Sequence, residues 1–201
     1  MATRRRSWWS ALTTDACRRA CFRHECGRGQ AEGRRRACFS CVLGWAWGNA
    51  RGNDAPLPHS NTRRFHLDAS CERVFPLFTA LGEKAWADGW NPKLLSGSAR
   101  RGSAFQTSHP DGQVTTWIVT EYNPAAGRVS YARLAEGSNI GLVDVHCIGE
   151  GSGSAIEVTY TLTGLNPKGE AFAAAFTADA HYAAMIDEWQ QALTKALATK
   201  Q

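Results

Sequence analysis

Asp144 and His146 alternate along one strand-like stretch, which puts a carboxylate and an imidazole on the same face. That pair would suit acid–base or metal chemistry. Val143, Val145 and Cys147 alternate against it, so if the apolar face points inward the pair points to solvent, and that reading is preferred. Metal-type ligands also occur near the start of the chain, where Cys38 and Cys41 form one CxxC pair. A zinc knuckle would need a second close pair from Cys17, Cys21, His24 or Cys26, and those spacings are irregular. His66, His109 and His181 show no ligand spacing, and no His pair with a carboxylate can be assembled for iron chemistry. HExxH, GxSxG, P-loop and dinucleotide signatures are all missing. No metal and no cofactor are expected.

The elements that would carry such residues are legible after residue 60. Phe65, Leu67 and Ala69 alternate with polar neighbours, giving a strand over Thr62–Ala69. Ser70 is a plausible N-cap for a helical stretch over Cys71–Leu81, interrupted by Pro76. Gly82 separates it from a second stretch, Glu83–Trp90, which Asn91 and Pro92 terminate. Turn signals then divide the chain into strands over Ser103–Ser108, Gln113–Tyr122, Arg128–Leu134, Ile140–Ile148 and Ser154–Thr163. Short connections make that sheet antiparallel, and such a sheet twists and curls. Asn166 and Pro167 open one long helix, Pro167–Ala198. At 100° per residue, Phe172, Phe176, Tyr182, Ile186, Trp189, Leu193 and Leu197 share a face, on which Asp179 and Gln190 are the polar oddities. The expected class is α+β: a curved antiparallel sheet wrapped on a long C-terminal helix, with room for a cavity between them.

Charge separates this domain from what precedes it. Residues 1–60 carry 11 Arg, no Lys and 4 acidic residues, a net of +7. Residues 61–201 carry 12 basic and 14 acidic residues, a net of −2. The basic character belongs to the leader, so no nucleic-acid partner is expected for the folded domain. The leader, with five of the seven cysteines and four Trp, reads as a basic tail without a fold or as a stretch outside the natural reading frame. No run of about 18 apolar residues exists, so no membrane span is expected. Only Cys71 and Cys147 fall in the domain, too far apart in sequence to suggest a disulfide framework. A cytoplasmic location is expected. The alternative is export, if translation starts near residue 31, where Arg34–Arg36, an apolar run and Gly48 to Ala50 imitate a signal peptide.

The stretches Phe65 to Phe75, Gly82 to Pro92, Thr116 to Tyr122, Val158 to Leu162 and the closing helix together resemble the START-like superfamily. These proteins are also called SRPBCC or polyketide cyclase/dehydrase-like, and the likeness extends over about Thr62–Ala198, most of all to an uncharacterised bacterial subgroup. The resemblance implies the helix-grip fold and a mainly apolar pocket between sheet and last helix. It assigns Trp90, Trp117, Tyr131, Tyr160 and Phe176 to the pocket wall, with Trp86 near the mouth. Arg133, in step with Tyr131, would anchor a ligand carboxylate. Asp179 would be the pocket acid, available as general acid or base. The implied partner is a small hydrophobic or aromatic molecule. The superfamily also implies two alternatives, a cyclase or dehydratase using Asp179 or a tyrosine, and an interaction domain like the chaperone-ATPase activators.

Overall fold

The computed structural model describes residues 57–199. The leader cysteines, the zinc-knuckle reading and the signal-like run all lie outside the described residues.

Seven strands form one antiparallel sheet: β1 (His59–Leu67), β2 (Lys93–Ser96), β3 (Ala104–Ser108), β4 (Val114–Asn123), β5 (Arg128–Ala135), β6 (Asn139–Glu150) and β7 (Gly153–Gly164). Their order is β1-β7-β6-β5-β4-β3-β2. β1 starts earlier than its apolar alternation suggests, because its ladder with β7 runs from His59 opposite Leu162 to Leu67 opposite Ser154. A bulge between Val119 and Glu121 in β4 bends the sheet.

The expected helix over Cys71–Leu81 is instead one α-turn, α1 (Cys71–Val74), followed by a 3₁₀ turn over Phe75–Phe78. Pro76, which has no N–H to give an α-helix, sits in the first turn of the 3₁₀ segment. Ser70 occupies the N-cap position without a side-chain hydrogen bond. The stretch expected over Glu83–Trp90 is a 3₁₀ turn over Gly82–Ala85 only. Side chains hold these turns together. The Trp86 indole donates to Leu77 O at 2.8 Å, and the Trp90 indole to Ala80 O at 2.8 Å. Gly82 is required there, since a Cβ would lie 1.9 Å from Pro76 O.

The single C-terminal helix is also two: α2 (Pro167–Phe176) and α3 (Asp179–Ala198). Ala178 between them is extended, with ψ 136°. Asn166 caps α2 by accepting from Gly169 N–H at 2.9 Å. α2 packs on β7 and α3 on β1, and the Tyr182 hydroxyl donates to Val158 O at 3.0 Å. The core lies between helices and sheet, with Phe65, Val129, Val143, Ile156, Val158 and Leu162 pointing into it from the strands.

Cys71 and Cys147 are bonded as a disulfide, with Cα atoms 5.8 Å apart. This corrects the reading that the two cysteines lie too far apart in sequence to suggest a disulfide framework. α1 lies against β6, so residues 76 positions apart in sequence meet. Beside this bond, Gly127 turns β4 into β5 with φ +64°, and a Cβ there would sit 2.2 Å from Cys147 O. Gly127→Ala should therefore lose more than the ~1–2 kcal/mol of a left-handed backbone alone. Urea denaturation measures the loss, and an unchanged midpoint would show that the turn relaxes freely.

Candidate functional site

Two neighbouring rows of the sheet build the floor of an internal cavity. In one row Phe105 on β3 pairs with Trp117 on β4, which pairs with Arg133 on β5. In the other, Tyr131 on β5 pairs with Val143 on β6, which pairs with Tyr160 on β7. Strand alternation turns all these side chains, Arg133 included, to the inner face, and all but Arg133 line the hollow. Phe78, Glu83 and Trp90 from the turn segment and Trp189 from α3 complete its wall. The free space is about 20 Å³, room for about one water-sized group.

Aromatic contacts account for the tight fit. Phe105 and Trp117 stack at 5.8 Å, and Trp90 meets both edge-on at 6.1 and 5.9 Å. Tyr131 stands edge-on to Phe105 and Trp117. Trp86 packs on Trp189 at 5.1 Å, behind the cavity. A second space of about 230 Å³ opens outside, lined by Asp88, Gly89, Trp90, Thr107, Ser108, His109 and Pro110. Trp90 is the residue common to the linings of both spaces.

Of the residues expected at the site, Trp90, Trp117, Tyr131 and Tyr160 line the cavity. Phe176 lies one layer back, 5.0 Å from the Tyr160 ring. Arg133 is buried, at 4% exposure, with its guanidinium 5.4 Å from the centre of the Trp117 ring. Its Nε has no hydrogen-bond partner, and none of the ion pairs among the described residues includes it. Asp179 is elsewhere. Its side chain is 88% exposed, accepting from Asn61 Nδ2 at 3.0 Å and facing Arg63 at 3.4 Å. The helix break explains the misplacement: Asp179 is the first residue of α3, so angles counted from α2 do not carry to it. Gln190, the other oddity, donates to His66 O at 2.9 Å. Asp144 is on the outer face and exposed. Among the described residues no three His, Cys, Asp or Glu side chains converge as metal ligands, and no helix is long and apolar enough to cross a membrane.

The acid in the cavity is Glu83, which the sequence reading passed over. Its residue is half-buried and lines the cavity. Burial pushes the Glu83 carboxyl up to about 8 from its ordinary 4.5. Burial likewise raises the hydroxyls of Tyr131 and Tyr160, and the Glu83 charge adds to both. Burial holds Arg133 below its usual range. On the outer side, burial and the Arg133 charge lower His109. A stability slope follows from Glu83. Between about pH 4.5 and 8 the folded protein keeps a proton that the unfolded chain has lost, so stability falls as pH rises through that window and levels off above it. The lowered His109 gives an opposite slope near its ordinary 6.5. Glu83→Gln should remove the downward component and leave the His109 component. Urea midpoints across this range check it, and identical profiles for both proteins would place the carboxyl in water.

A seven-stranded antiparallel sheet, short turns after β1, a long closing helix and an aromatic hollow between them define a helix-grip protein. The chain belongs to the polyketide cyclase/dehydrase and lipid transport family, whose model matches residues 58–198. No curated protein matches the sequence. Among solved structures, norcoclaurine synthase from Thalictrum flavum, in complex with dopamine and hydroxybenzaldehyde, is similar at 9% identity and TM-score 0.56. That match covers 84% of this chain and 99% of that one. An uncharacterised protein from Rhizobium leguminosarum is similar at 18% identity and TM-score 0.53, covering 69% and 95%. A protein from Mesorhizobium loti is similar at 14% identity and TM-score 0.54, covering 71% and 98%. At these identities the likeness is one of fold.

Proposed function

We propose that the domain holds a small hydrophobic or aromatic molecule between the sheet and α3, with Tyr131, Tyr160 and Arg133 setting its orientation. The supporting observation is the composition of the inner cavity: aromatic walls that include Glu83, Tyr131 and Tyr160, with a buried cation outside any ion pair against the Trp117 ring. Burying polar groups costs free energy that packing alone does not return. A ligand that meets them returns it. The free space of about 20 Å³ is smaller than an aromatic ring, so loading displaces a side chain. Trp90 is the candidate because it lines both the inner space and the outer 230 Å³. Joined, and with the volume the indole vacates, the two approach the ~300 Å³ of the smaller ligand pockets. Dopamine and hydroxybenzaldehyde, held by norcoclaurine synthase, are aromatic molecules of fitting size. If the domain is instead a cyclase or dehydratase, the groups facing the cavity carry its proton transfers, and Asp179 does not.

One observation favours a second reading. The interior is nearly filled by its own indoles, as in a domain that acts through its surface. The outer sheet face exposes Ile118, Leu134, Ile140 and Leu142. Native mass spectrometry of protein from its own host separates the two. A bound small molecule of aromatic character supports the pocket. Ligand-free protein whose tryptophan fluorescence ignores added 4-nitroanisole overturns it in favour of the surface. The Cys71–Cys147 bond also suits an oxidising compartment better than the cytoplasm, so export is the preferred location. Thiol alkylation in intact cells that labels both cysteines would reverse that preference.

A further inference from the structure

We propose that the inner cavity is an oxyanion site, in which Glu83 and Tyr160, backed by the Arg133 guanidinium, receive the phenolate or enolate oxygen of an aromatic ligand. This rests on the reading that the cavity takes a small aromatic molecule, and it adds which chemical group points inward and in which charge state.

The three buried tyrosines differ in what their hydroxyls do. Tyr131 donates to Phe78 O at 2.6 Å, and Tyr182 donates to Val158 O at 3.0 Å. The Tyr160 hydroxyl has no such acceptor among the described residues, and its residue lines the cavity. Its proton is therefore uncommitted. Glu83 stands in the same wall and keeps its proton at neutral pH, since its carboxyl is raised to about 8. A neutral carboxylic acid and a phenol are both donors, and two donor residues in the wall of one small cavity can together stabilise an oxygen that carries negative charge.

Arg133 supplies the sign. It is 96% removed from solvent, lies on the Trp117 face and acts electrostatically on Tyr160. None of the ion pairs among the described residues joins an acid to the guanidinium. The titratable groups facing Glu83 are Tyr131 from β5 and Tyr160 from β7, and Tyr131 also feels Tyr122 from β4. With Glu83, Tyr131 and Tyr160 neutral at pH 7, the cavity region carries the uncompensated charge of Arg133. A cationic ligand is repelled there, and a neutral one leaves the buried cation unpaired. The free space of about 20 Å³ admits one oxygen with its donors and is tight for a carboxylate with two. Binding needs no covalent step: the phenol proton goes to solvent and the oxygen keeps its electron pair.

4-Nitrophenol tests this with the full-length protein, because its ionisation is visible in absorbance. The protein should bind the phenolate at least tenfold more tightly than the neutral phenol, seen as a bound-state ionisation shifted down by one pH unit or more. 4-Nitroanisole, the same ring with the oxygen methylated, should quench tryptophan fluorescence and bind at least tenfold more weakly than the phenolate. Tyr160→Phe and Glu83→Gln should each reduce the phenolate preference about tenfold, and Arg133→Met should abolish it. The wild-type comparison of phenol with anisole needs no variant, so a variant that fails to fold does not shield the proposal. Equal binding of both compounds with no absorbance shift overturns the oxyanion site and leaves the pocket standing. Quenching by neither overturns the pocket and the oxyanion site together.

Discussion

Replacing Cys71 and Cys147 together by serine should lower the domain's stability by about 4 kcal/mol, as expected from chain entropy for a bond closing a loop of 76 residues. The bond ties the turn after β1 to β6, so without it the unfolded chain regains the freedom of everything between. For a domain of this size such a loss lowers the melting temperature by roughly 15 °C. Reductant should reproduce the shift in the wild type and do nothing to the double variant. Equal melting temperatures with and without reductant would show that the bond adds no stability. The site should also feel the loss. α1 leads directly into the Phe75–Phe78 turn, whose Phe78 carbonyl accepts the Tyr131 hydroxyl. Loosening α1 therefore loosens one wall of the cavity, and phenolate binding should weaken along with stability.

The sequence shows the sheet well because sheets are local in their signals. Alternation of Val129, Tyr131 and Arg133 names the inward face, and Pro110, Gly127 and Gly151 mark turns whatever else the chain does. The family resemblance, rather than alternation alone, is what points Trp117, Tyr131 and Tyr160 to the pocket. What stayed hidden depends on partners far along the chain. The Cys71–Cys147 bond requires knowing that α1 crosses β6. The helix break at Thr177 and Ala178 is silent because Phe176, Tyr182 and Trp189 fit one stripe with or without it. Thr177 hides it further by bonding its hydroxyl to Ala173 O at 2.9 Å, as helical threonines do. Asp179 was misread for that reason. Glu83 reads as an ordinary surface acid on a short turn, and only the tyrosines of β5 and β7 make it a cavity group. No local pattern distinguishes it from Glu72 or Glu136.

Trp90→Ala should move stability and affinity in opposite directions. Truncating a buried Trp costs about 3–5 kcal/mol. Here it removes the edge contacts to Phe105 and Trp117 and leaves Ala80 O without its indole donor. A residue that only packs would weaken the ligand site as well. Trp90 differs because it lines both the inner cavity and the outer cleft. On the proposed displacement of the indole, the binding-competent state of the wild type is the fraction with the indole displaced, and the apparent dissociation constant is the intrinsic one divided by that fraction. Removing the indole makes the competent state the resting state. The variant should therefore melt at lower temperature yet bind 4-nitrophenolate more tightly, by about tenfold or more, and load faster in stopped-flow quenching. Added indole should refill the space and raise the variant's melting temperature by mass action, with a smaller effect on the wild type. Trp90→Phe should show the same two signs at reduced size, which keeps the test open if the alanine variant does not fold. Loss of affinity in both variants, in step with stability, would make Trp90 a wall of the core and require another entrance.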